Sequence, residues 1–315
     1  MPGRFAIHEC AWCDLQFATP AQVPPGIYEH IYRNIAVLPG YARYAAYARE
    51  IVNQTDPLGW LAHQEDVYWF VRSVLLDLGL GADDPVYEIG SGLGYLTYAL
   101  RRAGIQATGL DISQTAVQAA TQRLGPWYRA VPAGALASIA PGQAAAVVMT
   151  ELIEHIEDPE ALLADARGLL RPGGIMLITT PNKSAVRIGA YWDTENPPVH
   201  LWWFSETALR IIAGRQGLGI AFFDFTAFNE RRILGLRAPP YRRLLPPFLD
   251  AAGTPLARAE DYADPPPGRA QAMLERLVPG HRARRETARY YAAKARLAAQ
   301  RSDSMGVILT VPPLS

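Results

Sequence analysis

Cysteine is scarce in this chain, which contains only Cys10 and Cys13, both within one CxxC pair. Two cysteines cannot build a disulfide framework, so the sequence indicates a protein of a reducing compartment. No apolar run approaches the roughly 20 residues that a membrane-spanning helix needs. The first residues also lack the apolar segment of a secretory signal. We therefore expect a cytoplasmic protein that has no membrane partner.

An excess of either charge is also missing. The 30 basic residues balance the 30 acidic ones, and the formal net charge is zero. Because binding to nucleic acid depends largely on a positive surface, this balance argues against a nucleic-acid partner. The 315 residues, half of them hydrophobic, are enough for one large domain with additions or for two small domains.

Short apolar segments alternate with helical patterns over residues 81–228. The segments that read as strands are PVYEIG, IQATGLDI, AAAVVMT, GIMLITT and IAFFDFTAF. Ser113 and Ser205 precede two of the helical patterns as N-caps. This alternation predicts an α/β fold with a mostly parallel sheet and helices on both of its faces.

Residues 1–80 precede this core as an N-terminal region. Its first half, residues 1–40, reads as irregular, and two helices over 40–54 and 61–80 form a helical cap. The tyrosines of this cap either pack it onto the core or line an aromatic pocket for an acceptor.

An insertion over residues 229–303 separates the core from its last strand. It is rich in arginine and proline, with fifteen basic residues against eight acidic ones. We predict a helix over 282–301 and a final strand over 305–314, within a last core segment 304–315. The basic insertion suits a lid, a homodimer contact or the binding of an anionic group.

Three glycines at alternate positions follow the first predicted core strand. Gly90, Gly92 and Gly94 come after Glu88 in VYEIGSGLGY. The dinucleotide fingerprint G-x-G-x-x-G has its third glycine one residue later, so the spacing alone does not identify a ligand. Asp111 ends the next predicted strand, where a carboxylate can accept hydrogen bonds from the two hydroxyls of a ribose.

Four segments in order carry a specific resemblance: EIGSGLGY, LDIS, MTELIEHIEDP and LLRPGGIMLITTPN. They resemble the motifs of the class I S-adenosylmethionine-dependent methyltransferases, over about residues 84–228 and the final strand. The resemblance implies a Rossmann-like seven-stranded sheet, S-adenosylmethionine as cofactor and a small-molecule methyl acceptor.

The resemblance also implies roles for single residues. The methionine half of the cofactor would be lined by Glu88, Gly90, Ser91, Gly92 and Gly94. Asp111 would hold the ribose, Ile112 would pack on adenine, and Thr150 with Glu151 would border the sulfonium. Many members carry an acidic residue after the third strand, near adenine. This chain has none in RAVPAGALAS, which leaves adenine to backbone and apolar contacts.

The segment ELIEH places Glu151, Glu154 and His155 on one face if it opens a helix, and His200 follows in PPVHLWWFS. Two interpretations stay open. The four side chains resemble the Mg²⁺ or Mn²⁺ site of small-RNA 2′-O-methyltransferases, and ubiquinone-pathway O-methyltransferases carry a similar E-x-x-E-H. Alternatively, His155 is a general base without a metal, as in many small-molecule methyltransferases, and His200 caps a loop.

The segment HECAWCDLQFATP looks like the second half of a zinc knuckle found in methyltransferases of sugars and natural products. The first CxxC pair is missing and Asp14 replaces a glycine, so we interpret the knuckle as vestigial. We therefore expect O-methylation of a sugar or natural-product hydroxyl. The alternatives are RNA 2′-O-methylation and a degenerate methyltransferase fold that serves as a binding subunit.

Overall fold

The computed structural model describes residues 5–36, 38, 41–185, 197–233, 269–278 and 300–313. Its N-terminal region contains two strands and four helices. They are β1 (Ala6–Glu9), β2 (Gln16–Thr19), α1 (Ile27–Asn34), α2 (Ala42–Glu50), α3 (Pro57–Gln64) and α4 (Asp66–Asp77). The prediction of an irregular segment over 1–40 is wrong, because β1, β2 and α1 lie there.

The helix predicted over 61–80 is also wrong as a single element. Glu65 has an extended backbone (φ −141°, ψ 154°) and divides α3 from α4. Helix α3 begins earlier than expected, because the Asp56 side chain accepts a hydrogen bond from the Gly59 amide and Pro57 occupies the first helical position.

The remaining elements include the predicted alternating strands and helices of the core, together with two short strands at 128–130 and 202–203 and two helices at 226–233 and 269–277 that the sequence analysis does not predict. They are β3 (Val86–Ile89), α5 (Tyr95–Arg102), β4 (Ala107–Asp111), α6 (Gln114–Leu124), β5 (Tyr128–Ala130), β6 (Ala144–Thr150), α7 (Pro159–Leu169), β7 (Leu170–Pro181), β8 (Trp202–Trp203), α8 (Glu206–Arg215), β9 (Gly219–Phe222), α9 (Thr226–Ile233), α10 (Arg269–Leu277) and β10 (Ser304–Thr310). The predicted caps are confirmed: Ser113 accepts from the Ala116 amide, and Ser205 accepts from the Ala208 amide.

The main sheet has seven strands in the order β5-β4-β3-β6-β7-β10-β9. The pairs from β5 to β7 are parallel, whereas β10 runs antiparallel to β7 and β9. This confirms the Rossmann-like, mostly parallel α/β sheet. From β3 the chain adds β4 and β5 on one side, and it then crosses over to place β6 on the other side of β3. Ligands of such sheets bind at the carboxyl ends of the strands beside this reversal.

Two buried apolar clusters cover the two faces of the sheet. In β6, Ala146 and Val148 join one cluster, whereas Val147 and Met149 join the other. The first cluster contains residues of α3 to α6, and the second contains residues of α7 and α8. Because both faces are covered, β6 reads as a continuous apolar run. This confirms the prediction of helices on both faces.

The C-terminal part of the core differs from the prediction in two places. The strand expected over 220–228 ends at Phe222, because Asp224 accepts from the amide and hydroxyl of Thr226 and starts α9. The last strand ends at Thr310. Most of the insertion, including nearly all of the helix predicted over 282–301, lies outside the described residues. Within the described part, no helix is long and apolar enough to cross a membrane.

Candidate active site

The segments that resemble cofactor motifs meet at the reversal of the sheet. The glycine loop follows β3, Asp111 ends β4, and residues 151–155 follow β6. Since β4, β3 and β6 are neighbouring parallel strands, their carboxyl ends bring these three segments to the same edge.

The glycine loop has a backbone that only glycine adopts easily. Gly90, Gly92 and Gly94 have φ of 77°, 50° and 80°. A Cβ on Gly94 would stand 2.6 Å from Cε1 of Tyr128, and one on Gly92 would stand 2.9 Å from the Tyr32 hydroxyl. The alternate glycine spacing therefore meets both a conformational and a packing requirement. The loop leads directly into the N-terminus of α5.

Asp111 ties the loop to the neighbouring strand. Its Oδ2 accepts from the Gly92 amide over 2.7 Å, and its Oδ1 accepts from the Ser113 amide over 2.8 Å. Burial raises the pKa of Asp111, while these two amides and the Tyr32 hydroxyl act in the opposite direction. A carboxylate has about four lone-pair sites, so each oxygen can also accept a ligand hydroxyl.

The residues around this loop fit a nucleoside cofactor that has an amino-acid tail. Ser91 Oγ is buried and lacks a hydrogen-bond partner among the described residues. Ile112 is 57% exposed, so its apolar side chain is free to pack on a ring. Glu88 is buried and accepts from the Thr97 hydroxyl, and burial raises its pKa to about 8. Glu88 is thus a protonatable group beneath the loop.

The segment ELIEH does not open an α-helix, so the condition for a shared helical face is not met. Glu151 has a left-handed φ of 48°, and a single 3-10 turn covers Ile153–His155. The following helix begins only at Pro159, where the Asp158 side chain accepts from the Ala161 amide. The three polar side chains therefore do not share a helical face, and their positions depend on the turn.

Among the residues that the structure describes, one group of side chains has the geometry of a metal site. Glu154, His155 and His200 each offer a ligand atom, and these atoms lie within 4.8 Å of one another. The two imidazole ring centres are 4.4 Å apart. Glu151 is not in this group, so three of the four predicted ligands come together.

Two contacts hold His200 and its segment beside the turn. The Leu201 amide donates to the Glu154 carbonyl over 2.8 Å, and Trp202 Nε1 donates to the Ile156 carbonyl over 2.7 Å. Strand β2 also pairs with β8, with Phe17 opposite Trp202. The hairpin that contains the CxxC pair thus supports the segment that positions His200.

The tautomer of His155 follows from its partner. Its Nδ1 lies 2.7 Å from the Val199 carbonyl oxygen. Because a carbonyl only accepts, Nδ1 carries the proton and Nε2 has a free lone pair. Nε2 is 3.8 Å from Glu154 Oε1. Burial lowers the pKa of His155 to about 4, so the ring is neutral at pH 7.

Several buried polar atoms near His155 lack hydrogen-bond partners among the described residues. Both carboxyl oxygens of Glu154, Oε1 of Glu151 and Nδ1 of His200 are buried and have no hydrogen-bond partner in the described part of the chain. Burial raises the pKa of Glu154 to about 8 and that of Glu151 well above its ordinary value, and it lowers that of His200. Unpaired buried acceptors are costly, and a cation or protons would relieve that cost. This donor set fits a divalent ion.

Helix α1 contains site residues that the sequence analysis missed. The Tyr28 hydroxyl donates to the His155 carbonyl, and Glu29 accepts from the Ser113 hydroxyl. Tyr32 lies against the glycine loop. The apolar positions Ile27 and Ile31 show the spacing of one helical turn. That signal in IYEHIYRN could have identified the helix.

A protein family described as "Methyltransferase domain" matches residues 62–221, just over half of the chain. The ubiquinone biosynthesis O-methyltransferase of Methylococcus capsulatus is 36% identical over 102 residues, which are 31% of this chain and 43% of that protein. The protein of the same name from Parvibaculum lavamentivorans is 41% identical over 103 residues, which are 31% of this chain and 40% of that protein. The match thus spans less than half of the length of these curated relatives.

Among solved structures, a SAM dependent methyltransferase from Archaeoglobus fulgidus has a TM-score of 0.45 at 14% identity. The match covers 76% of this chain and 92% of that chain.

Proposed function

The chain belongs to the class I S-adenosylmethionine-dependent methyltransferases, and we propose that it transfers the cofactor's methyl group to a hydroxyl of a small molecule. The observation that carries the proposal is the His155–Val199 hydrogen bond, which leaves a neutral Nε2 beside the cofactor motifs. The ubiquinone biosynthesis O-methyltransferases, similar over part of the chain, support oxygen as the acceptor atom.

Asp111 and the glycine loop would hold the cofactor. When bound, S-adenosylmethionine supplies a methyl group on a positively charged sulfur. The Asp111 carboxylate would accept hydrogen bonds from the ribose hydroxyls. Ser91 Oγ and the loop amides would bind the methionine half, and Ile112 would pack on adenine. Holding the two reactants in line can lower the barrier by roughly 7–11 kcal/mol. The backbone of the loop is suited to this task, because Gly92 is fixed by its bond to Asp111.

His155 would remove the proton of the acceptor hydroxyl. Its ring is held through Nδ1 by the Val199 carbonyl, so Nε2 is the nitrogen that would accept the proton. A general base in this position contributes about 10²–10⁴ in rate. The lowered pKa keeps the ring neutral at pH 7, so Nε2 is available to accept the proton.

A divalent cation is a second candidate for this site, and the unpaired oxygens of Glu154 favour it. Glu154, His155 and His200 would hold Mg²⁺ or Mn²⁺, and Glu151 is an acidic neighbour of Glu154. Such an ion lowers the pKa of a bound hydroxyl. A vicinal diol, as in a catechol or a sugar, is the acceptor that would suit it best.

We propose a ring-bearing acceptor, such as a phenol, a sugar or another natural product. Helix α2 contributes Tyr44, whose ring contacts those of Tyr41 and Tyr47. Burial raises the pKa of Tyr44 well above its ordinary value, and Glu151 is among the acidic groups close enough to add to this shift. These rings would form one wall of an acceptor pocket beside the turn.

A labelled-methyl assay tests the proposed function. The protein is incubated with methyl-labelled S-adenosylmethionine and, separately, with catechols, sugars, amines and RNA 3′ ends, each with and without Mn²⁺. Label on an oxygen of a catechol or sugar is the expected result. Label on RNA alone would favour the alternative of 2′-O-methylation, and cofactor binding without transfer to any of these acceptors would contradict the proposed acceptor class.

A further inference from the structure

Helix α1 spans both halves of the candidate site. The Tyr28 hydroxyl donates to the His155 carbonyl oxygen over 3.3 Å, and the Ser113 hydroxyl donates to Glu29 Oε1 over 2.6 Å. Tyr32, one turn after Tyr28, lies on the glycine loop. One short helix thus contacts both the cofactor motifs and the turn that contains His155.

The Tyr32 hydroxyl lies beside Gly92 and Asp111, two of the residues assigned to the cofactor. It is 2.9 Å from the position of a Cβ on Gly92, whose amide is 2.7 Å from Asp111 Oδ2. It also faces the Asp111 carboxylate and stabilises its charged form. A tyrosine hydroxyl and a ribose hydroxyl can each donate one hydrogen bond to a carboxylate.

The apolar side chains of α1 pack outside the two main clusters of the sheet. Its buried residues Ile27 and Ile31 belong to a small cluster with Leu38 and Val199, separate from the two main clusters of the sheet. Its N-cap, Gly26, provides no side-chain hydrogen bond. A helix of eight residues has little stability alone, so its docked position depends on this cluster and on the hydrogen bonds of Tyr28 and Glu29.

We propose that Tyr32 competes with the cofactor's ribose for Asp111, so that cofactor binding displaces α1 from the glycine loop. The inference rests on the proposed cofactor site at Asp111. Displacement of α1 also removes the Tyr28 ring from His155, which it contacts edge-on with ring centres 6.2 Å apart. Cofactor binding therefore exposes His155 to the acceptor, and the acceptor binds second.

The proposed competition between Tyr32 and the ribose can be measured, because it changes the apparent Kd for the cofactor. If the site is open only part of the time, the apparent affinity for the cofactor falls by the open fraction. Removing the competing hydroxyl in Tyr32→Phe raises that fraction and keeps the ring. Because hydrogen bonds to charged groups are among the stronger ones, we expect a roughly three- to tenfold lower Kd for S-adenosylhomocysteine.

The test is a calorimetric titration of the full chain with S-adenosylhomocysteine, in the wild type, Tyr32→Phe and the control Tyr98→Phe. Tyr98 packs on Trp127, and we expect its substitution to leave the Kd unchanged. With an analogue that lacks the ribose hydroxyls, the gain from Tyr32→Phe should disappear. In parallel, hydrogen exchange of the α1 amides should become faster when S-adenosylhomocysteine is bound to the wild type.

Three results would overturn the inference. They are an unchanged or higher Kd in Tyr32→Phe, an equal gain with the analogue, and stronger protection of α1 in the complex. Failure of both the wild type and Tyr32→Phe to bind S-adenosylhomocysteine would instead refute the proposed cofactor site, and this inference with it. Binding by Tyr32→Phe alone would support the competition.

Discussion

His155 Nδ1 and the carbonyl oxygen of Val199 are joined by a hydrogen bond of 2.7 Å. The bond connects the turn after β6 with the segment before β8, and it determines which imidazole nitrogen faces Glu154 and His200. Val199 also packs in the small cluster of α1, with Ile27 and Ile31. The orientation of His155 thus depends on a residue that packs against α1.

Asp111→Asn should weaken the binding of S-adenosylhomocysteine by about ten- to a hundredfold, because a buried charged acceptor contributes roughly 1.5–3 kcal/mol per hydrogen bond. Calorimetric titration gives the Kd. Asp77→Asn, at an exposed position, is the matched control and should bind as the wild type does. Equal Kd values for Asp111→Asn and the wild type would place the ribose elsewhere.

Gly94→Ala should destabilise the fold more than Gly79→Ala does. Both glycines have positive φ, but only Gly94 lacks room for a Cβ, which would stand 2.6 Å from Tyr128. We expect a cost of about 1 kcal/mol for Gly79→Ala from the backbone alone. The clash adds roughly 1–3 kcal/mol for Gly94→Ala. Urea unfolding measures both, and equal losses would show that the loop relaxes around the added methyl group.

Glu154→Gln should reduce the affinity for Mn²⁺ by at least about tenfold, because it replaces a charged ligand oxygen in a site of three donors. The binding of Mn²⁺ is measured from the decrease of the free Mn²⁺ signal in electron paramagnetic resonance. Glu157→Gln, an exposed position on the same segment, is the control and should retain the wild-type affinity. If the wild type does not bind Mn²⁺ at millimolar concentration, the metal alternative is excluded and His155 remains as a lone base.

Glu88 should make the fold less stable as the pH rises. Burial raises its pKa to about 8, above the ordinary value of 4.5. A carboxyl with a raised folded-state pKa contributes its full stability below the unfolded pKa and loses it as the pH rises through the folded pKa. The unfolding free energy of the wild type relative to Glu88→Gln should therefore fall by roughly 2 kcal/mol between about pH 5.5 and 7.5. A pH-independent difference would mean that Glu88 is ionised throughout.

The sequence predicts the elements whose local signals agree with their burial. AAAVVMT defines β6 because a strand covered on both faces is apolar throughout, and Ser113 and Ser205 define helix starts through their side-chain caps. The metal interpretation of ELIEH and HLWWF predicts His200 near His155, and their ring centres lie 4.4 Å apart, whereas the alternative interpretation has His200 capping a loop.

Other features depend on contacts that no local pattern contains. The left-handed Glu151 follows from the turn after β6, where its amide donates to Thr179 Oγ1. The pairing of Phe17 with Trp202 joins distant segments of the chain. The contact of Tyr32 with the glycine loop requires the docked position of α1, so the sequence analysis missed it.

The most direct test of the account is the separation of cofactor binding from methyl transfer in His155→Ala. The Kd for S-adenosylhomocysteine and the rate of label transfer to a catechol are measured for this variant and the wild type. We expect an unchanged Kd and a rate lower by about 10²–10⁴, since a general base supplies that factor. Full turnover by His155→Ala with the cofactor bound would contradict the assignment of His155.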